Sequence, residues 1–258
     1  MIFRIPCNRS SNTQENTMSL SGKVVLVSGA NRGIGAAIVK ELLKLDVAKI
    51  YTTARDPETL PSFDDTRIVA LQMDITNDIS VSRAAAAAQD VDVLINNAGT
   101  LAFGNYLDSS WKTFEDDMRT NYFGTLRVVR AFTPQFVARH AGTIANVCSV
   151  VGLSSVPLMA GYSASKAALH SLTQSLRGTL EKDNVTVLGV YPGPIETVLA
   201  KEVPYPDKAT PEHAAANIVK GIAEGHTYIF PDPLSQQVEQ LWSTDNRKLE
   251  HVSLHLGA

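Results

Sequence analysis

The chain lacks the features that mark secreted, membrane and nucleic-acid-binding proteins. It has 2 cysteines, Cys7 and Cys148, and they lie far apart. We therefore expect free thiols in a reducing compartment rather than a disulfide framework. No uncharged apolar run approaches the roughly 18 residues that a membrane span needs. The formal net charge of −3 comes without a block of like charges, which argues against a nucleic-acid partner. A cytoplasmic protein with a small-molecule partner is expected.

Signals for hydrolytic and metal chemistry are also weak. The sequence contains no G-x-S-x-G motif and no Ser-His-Asp order of the kind that hydrolases use. His251 and His255 are four apart and could share a helical face, but no cysteine or carboxylate cluster accompanies them. No metal site is expected.

The length of 258 residues and the hydrophobic content of 44% suit one α/β domain. Residues 1–20 differ from the rest because Ser, Asn and Thr dominate their middle, so a disordered tail is expected there. Two alternatives stay open for residues 1–17, an upstream start site or a targeting segment that carries Arg4 and Arg9. The folded domain is expected to cover residues 21–258.

Apolar runs and stretches of helical period alternate along the chain. Strands are predicted at 23–30, 48–55, 67–74, 91–99, 142–149, 184–193 and 227–232. Helices are predicted at 34–45, 77–89, 111–140, 160–182 and 211–225. This alternation predicts a single doubly wound α/β domain of Rossmann type, with a parallel seven-stranded sheet and helices on both faces. Such folds bind ligands at the carboxyl ends of their strands.

A glycine-rich turn joins the first predicted strand to the first helix. Its sequence is S-G-A-N-R-G-I-G, over residues 28–35. Glycines are needed where the chain turns sharply, where the backbone approaches a phosphate and where the helix meets the strand. The helix N-terminus offers free N–H groups and a positive dipole to a pyrophosphate. The turn therefore predicts a dinucleotide site, although its G-x-x-x-G-x-G spacing differs from G-x-G-x-x-G.

The residues after the second strand indicate which dinucleotide binds. Ala54 stands where a carboxylate would accept from the ribose 2′-hydroxyl of NAD, and Arg55 follows it. Arg32, inside the glycine turn, is a second cation near the same place. NADP is therefore predicted, while Asp56 keeps NAD open as an alternative.

Two further strand ends carry residues suited to adenosine. Asp74 follows the third strand, where its carboxylate could accept from the adenine amino group or, alternatively, cap a helix or turn. The fourth strand ends in Asn96, Asn97, Ala98 and Gly99. Small residues there let the backbone lie against adenosine, and the asparagine amides can tie neighbouring strands together.

Four polar side chains give the strongest chemical signal. Tyr162 and Lys166 are four apart in a predicted helix, so they share one face. Ser149 ends the fifth strand, and Asn121 lies upstream in M-R-T-N. A phenol, an ammonium and a hydroxyl near a nucleotide fold can move a proton to or from a carbonyl oxygen while a cofactor moves the hydride.

Together these motifs resemble the short-chain dehydrogenase/reductase family over about residues 20–231. The markers are S-G-A-N-R-G-I-G, Asp74, N-N-A-G at 96–99, Asn121, Ser149, Y-S-A-S-K at 162–166 and P-G-P-I-E-T at 192–197. Ser28 replaces the usual threonine and keeps its hydroxyl. S-G-A-N-R-G-I-G with T-A-R-D is most similar to the NADPH-dependent carbonyl reductases of this family.

The resemblance implies a role for each matching position. Tyr162 is expected to be the general acid/base, Lys166 to hold the nicotinamide ribose and lower the pKa of Tyr162 by its charge, and Ser149 to bind the substrate oxygen. Asn121 is expected to kink its helix and hold a water in a proton relay. The residues expected to bind the cofactor are Ser28, Gly29, Asn31, Arg32, Gly33, Ile34, Gly35, Arg55, Asp74, Asn96, Ala98, Gly99, Tyr162, Lys166, Pro192, Gly193, Ile195 and Thr197.

These expectations predict an NADP(H)-dependent oxidoreductase that interconverts a carbonyl and an alcohol. The loops beside the site are apolar at Leu101, Ala102, Phe103, Leu153, Val156, Leu158 and Met159, which favours an apolar aldehyde or ketone. The segment after Thr197 is short, which suggests an open site. Two alternatives stay open, an NAD-linked alcohol dehydrogenase and a non-catalytic NADP-binding sensor or scaffold.

Self-association is also implied by the resemblance. Short-chain dehydrogenases commonly pair two long helices across a two-fold axis, and here these are residues 111–139 and 160–182. Some monomeric carbonyl reductases block that surface with an insertion before the tyrosine. Only twelve residues separate Ser149 from Tyr162, so a homodimer or homotetramer is expected.

Overall fold

A parallel sheet forms the centre of the molecule. The computed structural model describes residues 19–203 and 205–255, and its seven strands lie in the order β3-β2-β1-β4-β5-β6-β7. The strands are Val24–Ser28 (β1), Lys49–Ala54 (β2), Ile68–Gln72 (β3), Val93–Asn96 (β4), Gly142–Val147 (β5), Val185–Val190 (β6) and Tyr228–Ile229 (β7). All neighbouring strands are parallel, and the predicted fold class is confirmed.

Helices cover both faces of the sheet. They are Gly33–Leu43 (α1), Asp78–Ala87 (α2), Trp111–Asp117 (α3), Thr125–Arg139 (α4), Ala160–Leu180 (α5), Pro211–Ala223 (α6), Pro233–Thr244 (α7) and Asn246–Leu254 (α8). One apolar core lies under α1 and α6, a second lies under α2 and α4, and a third lies beside α5, around Leu169, Tyr191 and Phe230. Strand β1 has a core on each side, which explains its unbroken apolar sequence. None of these helices is long and apolar enough to cross a membrane.

The expected N-terminal tail falls almost wholly outside the described residues, as does Cys7. Leu20, at its end, is buried and packs into the core under α1. Cys148 is a free, buried thiol.

The helix predicted at 111–140 is interrupted in its middle. Residues Met118–Gly124 form a π-helical segment between α3 and α4. The side chain of Asn121 is fully buried there, and its backbone carbonyl accepts from the Thr125 hydroxyl at 2.9 Å. A π-turn shifts the hydrogen-bond register by one residue without a proline or glycine break, so hydrophobic periodicity did not reveal it.

Close backbone packing shapes the turn between β1 and α1. Gly29 has a φ of +64°, and a Cβ on it would lie 2.8 Å from the Cα of Ala98. A Cβ on Gly35 would lie 2.2 Å from the carbonyl oxygen of Gly29. The first turn of α1 can therefore sit against the end of β1 only if this position has no side chain.

This packing predicts that Gly35→Ala lowers the free energy of unfolding by roughly 1–3 kcal/mol, because the added methyl meets backbone that cannot move aside. Gly178, in the exposed part of α5, is the matched control, since a Cβ added to it would have no neighbour within 4 Å. Gly178→Ala should raise stability by about 0.5–1 kcal/mol. Chemical denaturation of both variants checks the pair, and equal effects would contradict it.

Candidate active site

A cavity of ≈ 470 Å³ lies at the carboxyl ends of the strands. It is large enough for a ligand of cofactor or drug size. Ser149, Tyr162 and Lys166 line it, while Asn121 lies behind its wall. The predicted cofactor residues that line it are Gly29, Asn31, Arg32, Gly33, Ile34, Arg55, Asp74, Ala98, Gly99, Tyr162, Lys166, Pro192, Gly193, Ile195 and Thr197.

Three predicted cofactor residues lie behind this lining instead. The Ser28 hydroxyl accepts from the backbone N–H groups of Asn97 and Ala98, each at 3.0 Å. The Asn96 amide donates to the side chain of Asn146 at 2.8 Å, which ties β4 to β5. Gly35 provides the close approach described above. These residues therefore shape the cavity from beneath rather than form its surface.

Three of the side chains predicted to be catalytic lie just after β5 and in α5. Ser149 follows β5, and its hydroxyl lies within hydrogen-bonding reach of the Tyr162 phenol and donates to the carbonyl of Pro192 at 3.3 Å. Lys166 is one helical turn after Tyr162, with its Nζ 5.6 Å from the centre of the phenol ring. The ammonium donates to the carbonyl of Val147, the last residue of β5, at 2.8 Å. The three side chains thus meet where β5 faces α5.

Burial sets the protonation of these groups. It raises the pKa of the Tyr162 phenol above its usual value, and the hydrogen bond from Ser149 opposes this only in part. The sequence had suggested that Lys166 would lower the pKa of Tyr162, but in the protein itself desolvation dominates. Burial also lowers the pKa of Lys166 to about 8. At neutral pH the phenol therefore keeps its proton, and the lysine is mostly charged.

Asn121 fastens the loop after β4 to α5. Its Oδ1 accepts from the N–H of Thr100 at 2.9 Å, and its Nδ2 donates to the Thr100 carbonyl at 3.0 Å. The same amide donates to the Ser165 hydroxyl at 2.8 Å, and that hydroxyl donates to the carbonyl of Tyr162. Both amide protons of Asn121 and one acceptor site of its Oδ1 are therefore used by protein groups on the two sides of the cavity.

Two exposed arginines border the cavity beyond β2. Arg32 and Arg55 both line it. The carboxylate of Asp56 accepts from the N–H of Glu58 at 3.1 Å and caps a short turn, Pro57–Thr59. Asp56 is thus engaged in local structure, although it also borders the cavity.

Asp74 takes one of the two roles that the sequence left open, the stabilisation of a turn. Its Oδ1 accepts from the backbone N–H and the hydroxyl of Thr76, at 2.9 and 2.7 Å, so it stabilises a turn. The N-cap of α2 is Asn77, whose side chain accepts from the N–H of Ser80. Asp74 still lines the cavity, and its hydrogen bonds with Thr76 use only one of its two oxygens.

The segment after β6 is held by a residue that sequence reasoning missed. Asp232 is buried, caps α7 together with Ser235, and accepts from the N–H of Gly193 at 2.8 Å. A Cβ on Gly193 would lie 2.7 Å from this carboxylate. The order Asp-Pro-x-Ser before a helix is a capping signal that could have located Asp232, although not its contact with Gly193.

The other end of the cavity is apolar. Of the loop residues that the sequence indicated, Leu101, Phe103, Val156, Leu158 and Met159 line it. Further lining comes from the C-terminal helices, at Leu234, Gln237, Val238 and Leu241 of α7 and at Leu249, Val252 and Ser253 of α8. No motif pointed to these last residues, because a short amphipathic helix at a chain end carries no signal for what it covers.

The glycine turn fits a bound dinucleotide. Helix α1 has no side-chain cap and no acidic residue in its first turn, which it shares with α3, α4 and α5, but α1 alone among these four begins directly after the glycine turn. Its first N–H groups and its positive dipole therefore remain available to a phosphate. Arg32, Gly33 and Ile34 at this end of α1 line the cavity.

Comparisons with known proteins identify relatives of this chain. A family model described as short chain dehydrogenase matches residues 23–207. A short-chain dehydrogenase from Burkholderia cenocepacia J2315, solved in complex with NADP, has a TM-score of 0.87 at 35% identity and covers 92% of this chain and 99% of its own. A 3-ketoacyl-(acyl-carrier-protein) reductase from Brucella melitensis, complexed with NADH, has a TM-score of 0.75 at 25% identity and covers 82% and 97%. Ketoacyl reductase HetN from Nostoc sp. is 29% identical over 86% of this chain and 84% of its own.

The chain belongs to the short-chain dehydrogenase/reductase family. The resemblance that its motifs indicated is confirmed.

Proposed function

We propose that this protein is an NADP(H)-dependent oxidoreductase that interconverts an apolar aldehyde or ketone and its alcohol. The observation that carries the proposal is the meeting of Ser149, Tyr162 and Lys166 in the same cavity as an uncapped helix N-terminus. A proton donor, an oxygen-binding hydroxyl and a nucleotide cradle are the groups that carbonyl reduction requires.

Tyr162 would supply the proton. Because burial raises its pKa, the phenol is protonated at neutral pH and can donate to the carbonyl oxygen as negative charge develops there. The Ser149 hydroxyl, beside the phenol, would donate a second hydrogen bond to the same oxygen. NADPH, when bound, supplies the hydride to the carbonyl carbon.

Lys166 would hold the cofactor ribose and support proton transfer. One of its three protons goes to the carbonyl of Val147, which fixes the ammonium and leaves the others for ribose hydroxyls. Asn121 would hold the backbone of Thr100 and the first turn of α5 in a fixed position relative to the Lys166 ammonium. That Asn121 also holds a relay water stays a proposal. The observed contacts of its side chain do not depend on such a water.

Two exposed arginines support the choice of NADP. Arg32 and Arg55 border the cavity next to Ala54, where no carboxylate would repel a 2′-phosphate. Asp56 also borders the cavity and keeps its charge while it caps Pro57–Thr59, so two arginines and one carboxylate lie in this region. The Burkholderia cenocepacia relative was solved with NADP, whereas the Brucella melitensis relative was solved with NADH, so an NAD-linked alcohol dehydrogenase is the alternative. A non-catalytic sensor would not need the phenol, which argues against that alternative.

Tyr162→Phe should lower kcat for carbonyl reduction by about 10²–10⁴-fold, because only the ionisable hydroxyl is removed. NADPH affinity, measured by fluorescence titration, should stay nearly unchanged. Tyr106→Phe, an identical change on an exposed ring, is the control. Near-native turnover of a diketone by Tyr162→Phe would overturn the mechanism.

Arg55→Ala should raise KM for NADPH by about 10–150-fold and leave KM for NADH little changed, because a charge-assisted bond to the 2′-phosphate is lost. Ala54→Asp should shift preference toward NADH. Arg130→Ala on the exposed surface of α4 controls for net charge. Equal losses with both cofactors would show that Arg55 does not read the phosphate.

We also propose a homodimer or homotetramer formed through α4 and α5. The outer face of α5 carries small exposed residues, at Ala164, Ala167, Ser171 and Ser175. Such a face lets a second helix approach closely. Trp111 on α3 and Phe123 in the π-helical segment, 80% and 47% exposed, add apolar surface near it.

Light scattering should therefore show a dimer or tetramer at micromolar concentration, and Ala167→Arg should yield a smaller species because a long charged side chain prevents close helix contact. Ala86→Arg is the matched control, because it makes the same substitution on the exposed face of α2. A monomeric wild-type protein would rule the assembly out.

A further inference from the structure

The cavity has one wall that the dinucleotide site and the reactive side chains do not account for. Helix α8 contributes Leu249, Val252 and Ser253 to the lining. These positions are spaced by three and four residues, so they form one face of the helix. The chain thus brings its C-terminal helix back over the same cavity that holds Tyr162.

The burial of this face shows that α8 is packed against the domain. Leu249 and Ser253 are 2% and 5% exposed, whereas Val252 is 43% exposed and therefore lies at the rim. Glu250 and His251, on other faces of the helix, are exposed to solvent. The cap that Asp245 places on the N–H of Lys248 fixes where the helix begins.

The surroundings of α8 are apolar. Val238 and Leu241 of α7 line the same cavity, as do Val198 and Leu199 of the short segment after Thr197. Val198 is 70% exposed, so this rim offers apolar surface to a ligand as well as to the protein. Burial of such surface stabilises a complex by about 25 cal/mol per Å².

We propose that α8 is the specificity wall of the site and that the substrate carries an apolar group of several carbons, which lies against Val252 at the rim. This inference rests on the proposed function, because it assigns the substrate of that same cavity. Small carbonyl compounds would reach Tyr162 without touching α8, whereas long-chain or aryl ketones would depend on it.

The test uses the full chain with NADPH and two probes, 2,3-butanedione and 2-decanone. Val252→Asp puts a charge on the apolar rim and should raise KM for 2-decanone about tenfold or more, while KM for butanedione changes less than twofold. His251→Asp adds the same charge one residue earlier on an exposed face and should change neither. Val252→Leu, which keeps the wall apolar, should leave 2-decanone turnover close to that of the wild-type protein.

The outcomes separate this inference from the proposed function. If wild-type protein reduces both probes and Val252→Asp affects them equally or affects neither, the α8 inference is wrong and the proposed function stands. If wild-type protein reduces no carbonyl, the proposed function fails. In that case 2-decanol binding is measured by calorimetry, and weaker binding to Val252→Asp than to His251→Asp supports the wall, whereas equal binding overturns it.

A second, independent observation concerns a buried carboxylate on α3. Asp117 is 1% exposed, and its Oδ2 has no hydrogen-bond partner among the described residues. Its Oδ1 accepts from the Thr100 hydroxyl at 3.0 Å, and the carboxylate also accepts from the N–H of Ala102. An unpartnered buried oxygen is costly, so its presence calls for a physical explanation.

Asp117 lies between two elements of the site. It stands one turn before Asn121, and both side chains bind Thr100. On the other side, its Oδ2 lies 3.5 Å from the position of a Cβ on Gly161, in the first turn of α5. Tyr162 follows Gly161 directly.

We propose that Asp117 is a positioning residue for the Tyr162–Lys166 pair, which fixes the loop at Thr100 and places one negative charge beside the pair. The negative charge of Asp117 raises the pKa of both Lys166 and Tyr162. For Lys166 this opposes the larger effect of burial, which lowers its pKa. Cys148 is another titratable side chain facing the pair, and burial raises its pKa to about 11, so it stays neutral below pH 9.

The readout is the pH profile of kcat/KM for NADPH-dependent reduction. The wild-type rate should fall as pH rises through about 8, because the Lys166 ammonium is lost. Asp117→Asn removes the nearby charge and keeps the shape, so the fall should move to lower pH by about half a unit or more. Asp116→Asn is the control, since that exposed neighbour pairs with Lys112 and Arg119.

A purely structural role would lower the rate at every pH without moving the profile. Unshifted profiles for Asp117→Asn would therefore overturn the inference. If Asp117→Asn does not fold, Asp117→Ser gives the same comparison with a smaller neutral side chain. A shift of the same size in Asp116→Asn would show an effect of net charge alone and would equally overturn it.

Discussion

The contact between the turn after β1 and the end of β4 is the constraint on which the cavity depends. A Cβ on Gly29 would lie only 2.8 Å from the Cα of Ala98, and the Ser28 hydroxyl accepts from two successive N–H groups there. The Asn97 amide returns two hydrogen bonds to the carbonyls of Ser28 and Gly29. This closure draws two strand ends together at the switch point of the sheet, where ligands of such folds bind. The helix α1 then starts with its free N–H groups beside the cavity.

A second set of close contacts aligns the reactive side chains. A Cβ on Gly152 would lie 2.7 Å from the backbone of Lys166, so the loop that begins at Ser149 rests on α5. Gly161 allows Phe114 of α3 to approach the first turn of the same helix. Asn121 completes the arrangement with hydrogen bonds to Thr100 and Ser165. The reactive groups therefore sit on backbone that is fixed from several directions, which is the preorganisation that proton transfer needs.

The sequence predicted the sheet and its ligand-binding edge because both depend on local signals. Apolar strands that alternate with helices are compatible with few other folds, and the glycine turn stands at a place where backbone must approach backbone. The π-helical segment around Asn121 was not visible in the hydrophobic periodicity, which it leaves almost unchanged, and the kink expected at Asn121 came only from the family resemblance. The contacts of Asp117 and of α8 could not be predicted from the sequence for another reason. Both join residues that are distant in sequence, and neither a lone aspartate nor a nine-residue terminal helix carries a signal of its partner.

Desolvation links the architecture of the site to the protonation states of Tyr162 and Lys166. The sequence suggested that a neighbouring ammonium would favour the phenolate, yet burial raises the pKa of Tyr162 and lowers that of Lys166 to about 8. Both shifts favour the neutral form, and both arise from the same apolar surroundings at the end of β5. A phenol that retains its proton at neutral pH is ready to donate to a carbonyl oxygen. To accept a proton from an alcohol, it would first have to ionise at a cost that rises with its pKa. The groups of the protein itself therefore present a proton donor, rather than a proton acceptor, at this end of the cavity near neutral pH.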